Sequence, residues 1–112
     1  MKHLIAIPLQ NGYLCRHFGH CEQFSFIQVE NDAITGEERI IPPPHEPGLL
    51  PAWLAERGVT DVIAGGMGQR AISLFEEQNI RVNVGVDKKS PSILVTEWLN
   101  NELVSGNNAC DH

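Results

Sequence analysis

The stretch from residue 61 to residue 101 alternates two apolar periods, and that alternation constrains the fold more than any other feature of the chain. Asp61-Val62-Ile63-Ala64 is a short apolar run that enters Gly65-Gly66-Met67-Gly68. A helical period follows over about 69–78, with Ala71, Ile72 and Phe75 at core spacing and Asn79 as its stop. Residues 80–86 form another apolar run. Ser90-Pro91 then pairs a cap residue with a proline at the first helical position, opening a last helix through about residue 101. Strand–helix–strand–helix in this order implies parallel pairing with right-handed crossovers.

The first half has a different rhythm. Residues 3–9 read as a short Ile/Leu-rich buried strand, stopped by Gln10-Asn11-Gly12. Residues 22–30 alternate as a second strand, Asn31-Asp32 turns the chain, and 33–41 form a third. Gly36 and the charges Glu37, Glu38 and Arg39 suit an edge position there. Prolines 42–44 end it. A helix over about 48–57 carries Leu50, Trp53 and Leu54 on one face, with Gly58 where a C-cap glycine belongs. Three consecutive strands imply a meander. The expected whole is a single α/β domain over 1–112, three layers deep (α/β/α), around a mixed five-stranded sheet. A flexible tail is expected from about 104 to 112.

Charge and composition narrow the function. The net charge of −6 offers no basic stripe to a nucleic-acid backbone. The longest apolar run, residues 4–9, is too short to span a bilayer and contains Pro8. A strand-like segment begins at residue 3, so no signal peptide is expected. Three cysteines without secretory context read as reduced thiols in a cytoplasmic protein.

Seven of the eight Cys and His residues fall in three loop-like patches, and only His3 lies elsewhere. The first patch is Cys15-Arg16-His17-Phe18-Gly19-His20-Cys21. The second is His45 within Pro42-Pro43-Pro44-His45-Glu46-Pro47-Gly48. The third is Cys110-Asp111-His112. Thiolate and imidazole are the ligands of soft and borderline metals. The candidate metal ligands are therefore Cys15, His17, His20, Cys21, His45, Cys110 and His112. None of the spacings is a C-x₂-C zinc pattern, so zinc enters only as an adventitious occupant. Each residue also has a plainer role: Cys15 as a small buried hydrophobe, His17 as a loop-shaping hydrogen bonder, Cys110 and His112 as a frayed end.

Gly66-Met67-Gly68-Gln69-Arg70-Ala71 fits G-x-G-x-x-A between a strand and a helix, and Asp87 lies about 20 residues on. That imitates a dinucleotide fingerprint, but only one strand follows it. The simple reading is a tight strand-to-helix turn. Between the two stands a small anion site, in which N–H groups of Gly65, Gly66, Met67 and Gly68 act together with Arg70. His17 and the 66–68 loop are expected to line one cleft at the carboxyl ends of parallel strands.

The chain resembles the dinitrogenase iron–molybdenum cofactor biosynthesis family. The resemblance rests on His3-Leu4-Ile5-Ala6-Ile7-Pro8, on His17-Phe18-Gly19-His20-Cys21-Glu22-Gln23-Phe24, on the Pro42–Pro51 stretch, on Asp61-Val62-Ile63-Ala64-Gly65-Gly66-Met67-Gly68, and on the Cys110-Asp111-His112 ending. It implies a ribonuclease H-like sandwich with strand order 3-2-1-4-5 and strand 2 antiparallel. It also implies a non-catalytic role, binding or carrying iron–sulfur or iron–molybdenum–sulfur clusters between donor and acceptor proteins. His17 matches the family's cluster-associated histidine, and 65–68 match its glycine loop. Arg16 and the loop N–H groups would hold an anionic cluster. Where many members have Arg-Ala after His-Phe-Gly, this chain has His20-Cys21, which implies a metal-bearing subfamily.

A cluster carrier is thus the leading expectation. A nucleotide- or small-anion-binding regulatory domain using the glycine loop is the alternative. An enzyme with a cysteine nucleophile trails both, because only Glu22 stands near enough in sequence to orient a Cys–His pair.

Overall fold

A computed structural model of the chain describes residues 2–16, 18, 21–43 and 48–104. The central strand β1 (Lys2–Gln10) is followed by a two-residue strand β2 (Tyr13–Leu14). Next come β3 (Gln23–Glu30), β4 (Ala33–Ile40), α1 (Leu49–Glu56), β5 (Asp61–Ile63), α2 (Gln69–Glu77), β6 (Arg81–Asn83) and α3 (Pro91–Leu99). The sheet runs β4-β3-β1-β5-β6, and β2 pairs with the end of β1. β3 is antiparallel to β1 and to β4, whereas β5 is parallel to β1 and β6 is parallel to β5. The sheet is therefore mixed, as expected, but it has six strands rather than five. The sixth, β2, is too short to leave an apolar period. It exists because Asn11 and Gly12 both take positive φ and turn the chain back on β1.

Alternation along β1 builds two cores. Ala6 faces one side, where Leu50, Leu54 and Phe75 from α1 and α2 pack with Phe24 and Phe26. Ile5, Ile7 and Leu9 face the other, against Leu94 and Val95 of α3. Helices thus cover both faces of the sheet.

The β3–β4 hairpin closes through Asn31 and Asp32, both at positive φ, which matches the right-handed twist of the strands. β4 is the edge, and a register shift opposite Gln28/Val29 together with its charges discourages edge-to-edge pairing. The last strand is shorter than the expected 80–86. Gly85, at φ +71, turns the chain out of the sheet after Asn83 and frees 84–89 to form a wall above the strand ends. Ser90 precedes α3 with extended backbone but makes no side-chain cap bond, so Pro91 alone carries the start signal.

The amino end of the sheet is fastened by polar groups. Asp61, almost fully buried, accepts from Thr60 Oγ1 at 2.7 Å and stands 3.2 Å from His3 Nδ1. The His3 ring meets Trp98 edge-on at 5.0 Å, linking β1 to α3. The functional interest lies at the opposite end.

Candidate functional site

Three segments meet beyond the carboxyl ends of β1, β5 and β6. Residues 14–16 leave β2, the glycine loop leaves β5, and 85–88 leave β6. They enclose a cleft of about 290 Å³. Leu14, Cys15 and Arg16 form one wall, Gly65 the floor, and Gly85 to Lys88 the other wall.

Backbone hydrogen bonds lace these segments together. Gly66 N–H donates to Arg16 O at 2.7 Å, and Phe18 N–H returns to Gly66 O at 2.9 Å. Gly85 N–H donates to Gly65 O at 2.6 Å, and Leu14 N–H to Lys89 O at 3.0 Å. Gly65 has to be glycine. A Cβ there would stand 3.1 Å from the carbonyl oxygens of both Cys15 and Arg16 and 3.2 Å from Arg16 Cα. Phe18 anchors the first segment in the core, edge-on to Phe24 at 5.7 Å and to Phe75 at 5.4 Å.

These contacts change the reading of the glycine loop. The Gly66 N–H is already used between loops and is not a donor for a ligand. Gly68 is the N-cap of α2 at φ −64, and a Cβ there would meet nothing within 4 Å. Met67 is buried. Arg70 is exposed on α2 and does not line the cleft. The tight-turn reading therefore accounts for the glycines better than the fingerprint does. Asp87 lies in the cleft wall, beside Lys88.

Two cations converge on the cleft. Arg16 and Lys88 are both exposed, and neither forms an ion pair among the described residues. Lys89 next door is held by Glu97 at 2.7 Å, a bond that raises its pKa. Asp87 supplies one carboxylate against these two cations, so the described lining is net positive in a chain of net charge −6. Sequence reading put Cys15, Arg16 and Gly65 at the site, named Asp87 only as the acid of a dinucleotide fingerprint, and missed Gly85, Val86 and Lys88. The signal was present: a glycine and two lysines directly after a parallel strand.

Cys15 is buried, its Sγ 3.8 Å from Gln10 Oε1. Cys21 is half-buried against the Phe24 side of the core. Burial pushes the Cys21 thiol up to about 12, and the charge of Cys15 adds to the rise. The Cys21 thiol is thus held as a protonated hydrophobe until something displaces its proton. Among the described residues no three His, Cys, Asp or Glu side chains come together to hold a metal ion. His17, His20, His45, Cys110 and His112 lie outside the described residues. Among the described residues no helix is long and apolar enough to cross a membrane.

This sheet order with helices on both faces defines a mixed α/β domain, with a net-positive cleft at the carboxyl ends of its parallel strands. The family described as dinitrogenase iron–molybdenum cofactor matches residues 1–101, and the chain belongs to that family. An uncharacterised protein of Methanocaldococcus jannaschii, MJ0580, is 36% identical over 83 residues, covering 70% of each chain. The crystal structure of PH0822 superposes with a TM-score of 0.85 at 28% identity, covering 94% of both chains. The apo form of the orange protein of Desulfovibrio gigas gives 0.73 at 18% identity, covering 95% of this chain and 94% of that one, a likeness of fold.

Proposed function

We propose that this protein binds and carries a metal–sulfide cluster, an iron–sulfur or iron–molybdenum–sulfur species or its precursor, without catalysing a reaction on it. The observation that supports this reading is the pairing of Arg16 and Lys88 across one cleft, with no ion-pair partner for either among the described residues. Clusters of this class are anions. A cleft lined by two cations and one carboxylate attracts them, although the whole chain is acidic. Family membership supplies the cargo class. The ribonuclease H-like description belongs with this proposal, and the strand order β4-β3-β1-β5-β6 supports it.

Cys15 sits in the cleft wall and Cys21 packs against the core cluster that contains Phe18. In the proposal they coordinate cargo after it arrives, together with His17 and His20 from the same segment. His45, Cys110 and His112 complete the ligand set from the two other patches. Because the Cys21 thiol is held protonated, metal coordination by it releases a proton and weakens as pH falls. The partners are donor and acceptor proteins of cluster assembly, and the compartment is the cytoplasm. Anaerobic purification, metal and sulfide analysis and an absorption spectrum test the proposal. It expects iron or molybdenum with sulfide in stoichiometric amount, or uptake on reconstitution. No uptake of any metal–sulfide species would overturn it.

A further inference from the structure

We propose that Lys88 is a movable clamp of the cleft, exchanging a contact with the Tyr13 ring for a contact with a bound metal–sulfide dianion. The inference rests on the anion-cleft reading above and adds to it a division of labour between the two cations.

Lys88 Nζ stands 5.9 Å from the centroid of the Tyr13 ring. Tyr13 is half exposed, a large aromatic residue on a two-residue strand. The register Gln10↔Tyr13 fixes that strand on β1, and Leu14 N–H binds Lys89 O at 3.0 Å. The ring and the lysine are therefore carried side by side on two segments tied by one backbone bond. Lys89, one residue further, is locked to Glu97. Of the two adjacent lysines, one is fixed and the other faces the cleft.

The physical contrast with Arg16 assigns the roles. The Arg16 carbonyl accepts from Gly66 N–H at 2.7 Å and its backbone lies close over the Gly65 floor, so its position along the wall is set. Lysine is a compact point charge on a four-carbon stem with three rotatable donors. An exposed cation–π contact is weaker than a charge-assisted hydrogen bond to an anion, so Lys88 leaves Tyr13 readily when one is bound. With Asp87 in the same wall, Arg16 alone merely neutralises one carboxylate. The second cation gives the lining its surplus of positive charge, and the attraction of that surplus grows in proportion to the charge of the anion, so a dianion is drawn more strongly than a monoanion.

Tyr13 is the single tyrosine of the chain and reports on the exchange. The experiment is a titration of tetrathiomolybdate into the full chain, followed by NMR of the Tyr13 ring, with Lys88→Gln, Lys88→Arg, Tyr13→Leu and Arg16→Gln beside the wild type. In the wild type, saturation shifts the Tyr13 ring signals. Lys88→Gln binds about tenfold more weakly, as for one lost charged hydrogen bond, shows no ring shift on titration, and loses part of the salt dependence. Lys88→Arg keeps affinity within about threefold, because the charge is retained. Tyr13→Leu binds about twofold to threefold more tightly, because a competing contact is gone. Wild-type affinity in Lys88→Gln with loss of binding in Arg16→Gln would overturn the clamp and leave the anion cleft standing. Wild-type affinity in both variants, or no binding by the wild type, would overturn both.

Discussion

Gly65 and Gly68 belong to one glycine-rich turn, yet alanine should be costly at the first and nearly neutral at the second. At Gly65 the new Cβ would press on the Cys15 and Arg16 carbonyl oxygens at 3.1 Å and on Arg16 Cα at 3.2 Å. These are backbone atoms and cannot rotate away. The 15–16 segment must retreat by a few tenths of an ångström, which stretches the reciprocal bonds between Gly66 and residues 16 and 18. Overpacking of this kind costs roughly 1–3 kcal/mol, and partial loss of two hydrogen bonds adds about 1 kcal/mol. We expect Gly65→Ala to lose about 2–4 kcal/mol in total. Anion affinity should fall as well, since Arg16 moves with its backbone. At Gly68 the Cβ meets nothing and φ is −64. Reduced unfolded-state entropy favours alanine by about 0.4–1 kcal/mol, and the poorer N-cap offsets it by a similar amount, so Gly68→Ala should be near neutral. Urea unfolding followed by Trp fluorescence measures both through the shift in midpoint at constant slope. Equal stability of the two variants, or a larger loss at Gly68, would refute the claim that close approach of the loops is what requires glycine.

Phe18→Ala removes an aromatic wedged against Phe24 and Phe75 and should cost about 3–4 kcal/mol in the same unfolding assay. Asp61→Ala removes the buried carboxylate shared by Thr60 and His3, leaving Thr60 only its bonds to Leu4, and should cost about 1–3 kcal/mol, with Asp61→Asn recovering part of it. For Cys21 the folded pKa lies above the unfolded one, so the folded state holds the proton more tightly. Its contribution is whole below pH 9.0 and is lost as pH rises from there toward about 12. Thiolate absorbance near 240 nm should accordingly show one thiol titrating late in the native protein and normally in urea, and Cys21→Ser should flatten the alkaline loss of stability.

Much of the architecture was legible because burial writes a period into the chain. The single run 3–9, the alternating 22–30 and the two helices after 68 and 90 each carry one face or one stripe, and the structure places them close to those bounds. What escaped was set by contacts rather than by period. β2 is two residues long and owes its place to a left-handed turn at Asn11 and Gly12. The early end of β6 follows from Gly85, whose turn builds the 85–88 wall, of which the reading of residues assigned 85 and 86 to a strand. The glycine loop was recognised as a site element, but not why it needs glycine. The pressure comes from Cys15 and Arg16, fifty residues away in the chain, and no local spacing reveals it. Cys15 was read either as a loop ligand or as a small buried hydrophobe, and it is buried; Cys21 was read as a loop ligand outside the core, whereas it packs on the aromatic cluster. A cysteine is equally at home as a ligand and as a small hydrophobe, so the sequence alone left both roles open.

The central claim is that the space between Arg16 and Lys88 receives a metal–sulfide anion. Crystals of the protein soaked in tetrathiomolybdate, measured across the molybdenum absorption edge, locate the metal without reference to any assumed ligand. The account predicts an anomalous peak between the 14–16 and 85–88 walls, above Gly65. A peak at the His3–Asp61 end of the sheet, or none in a crystal of protein shown to bind the anion in solution, would contradict it.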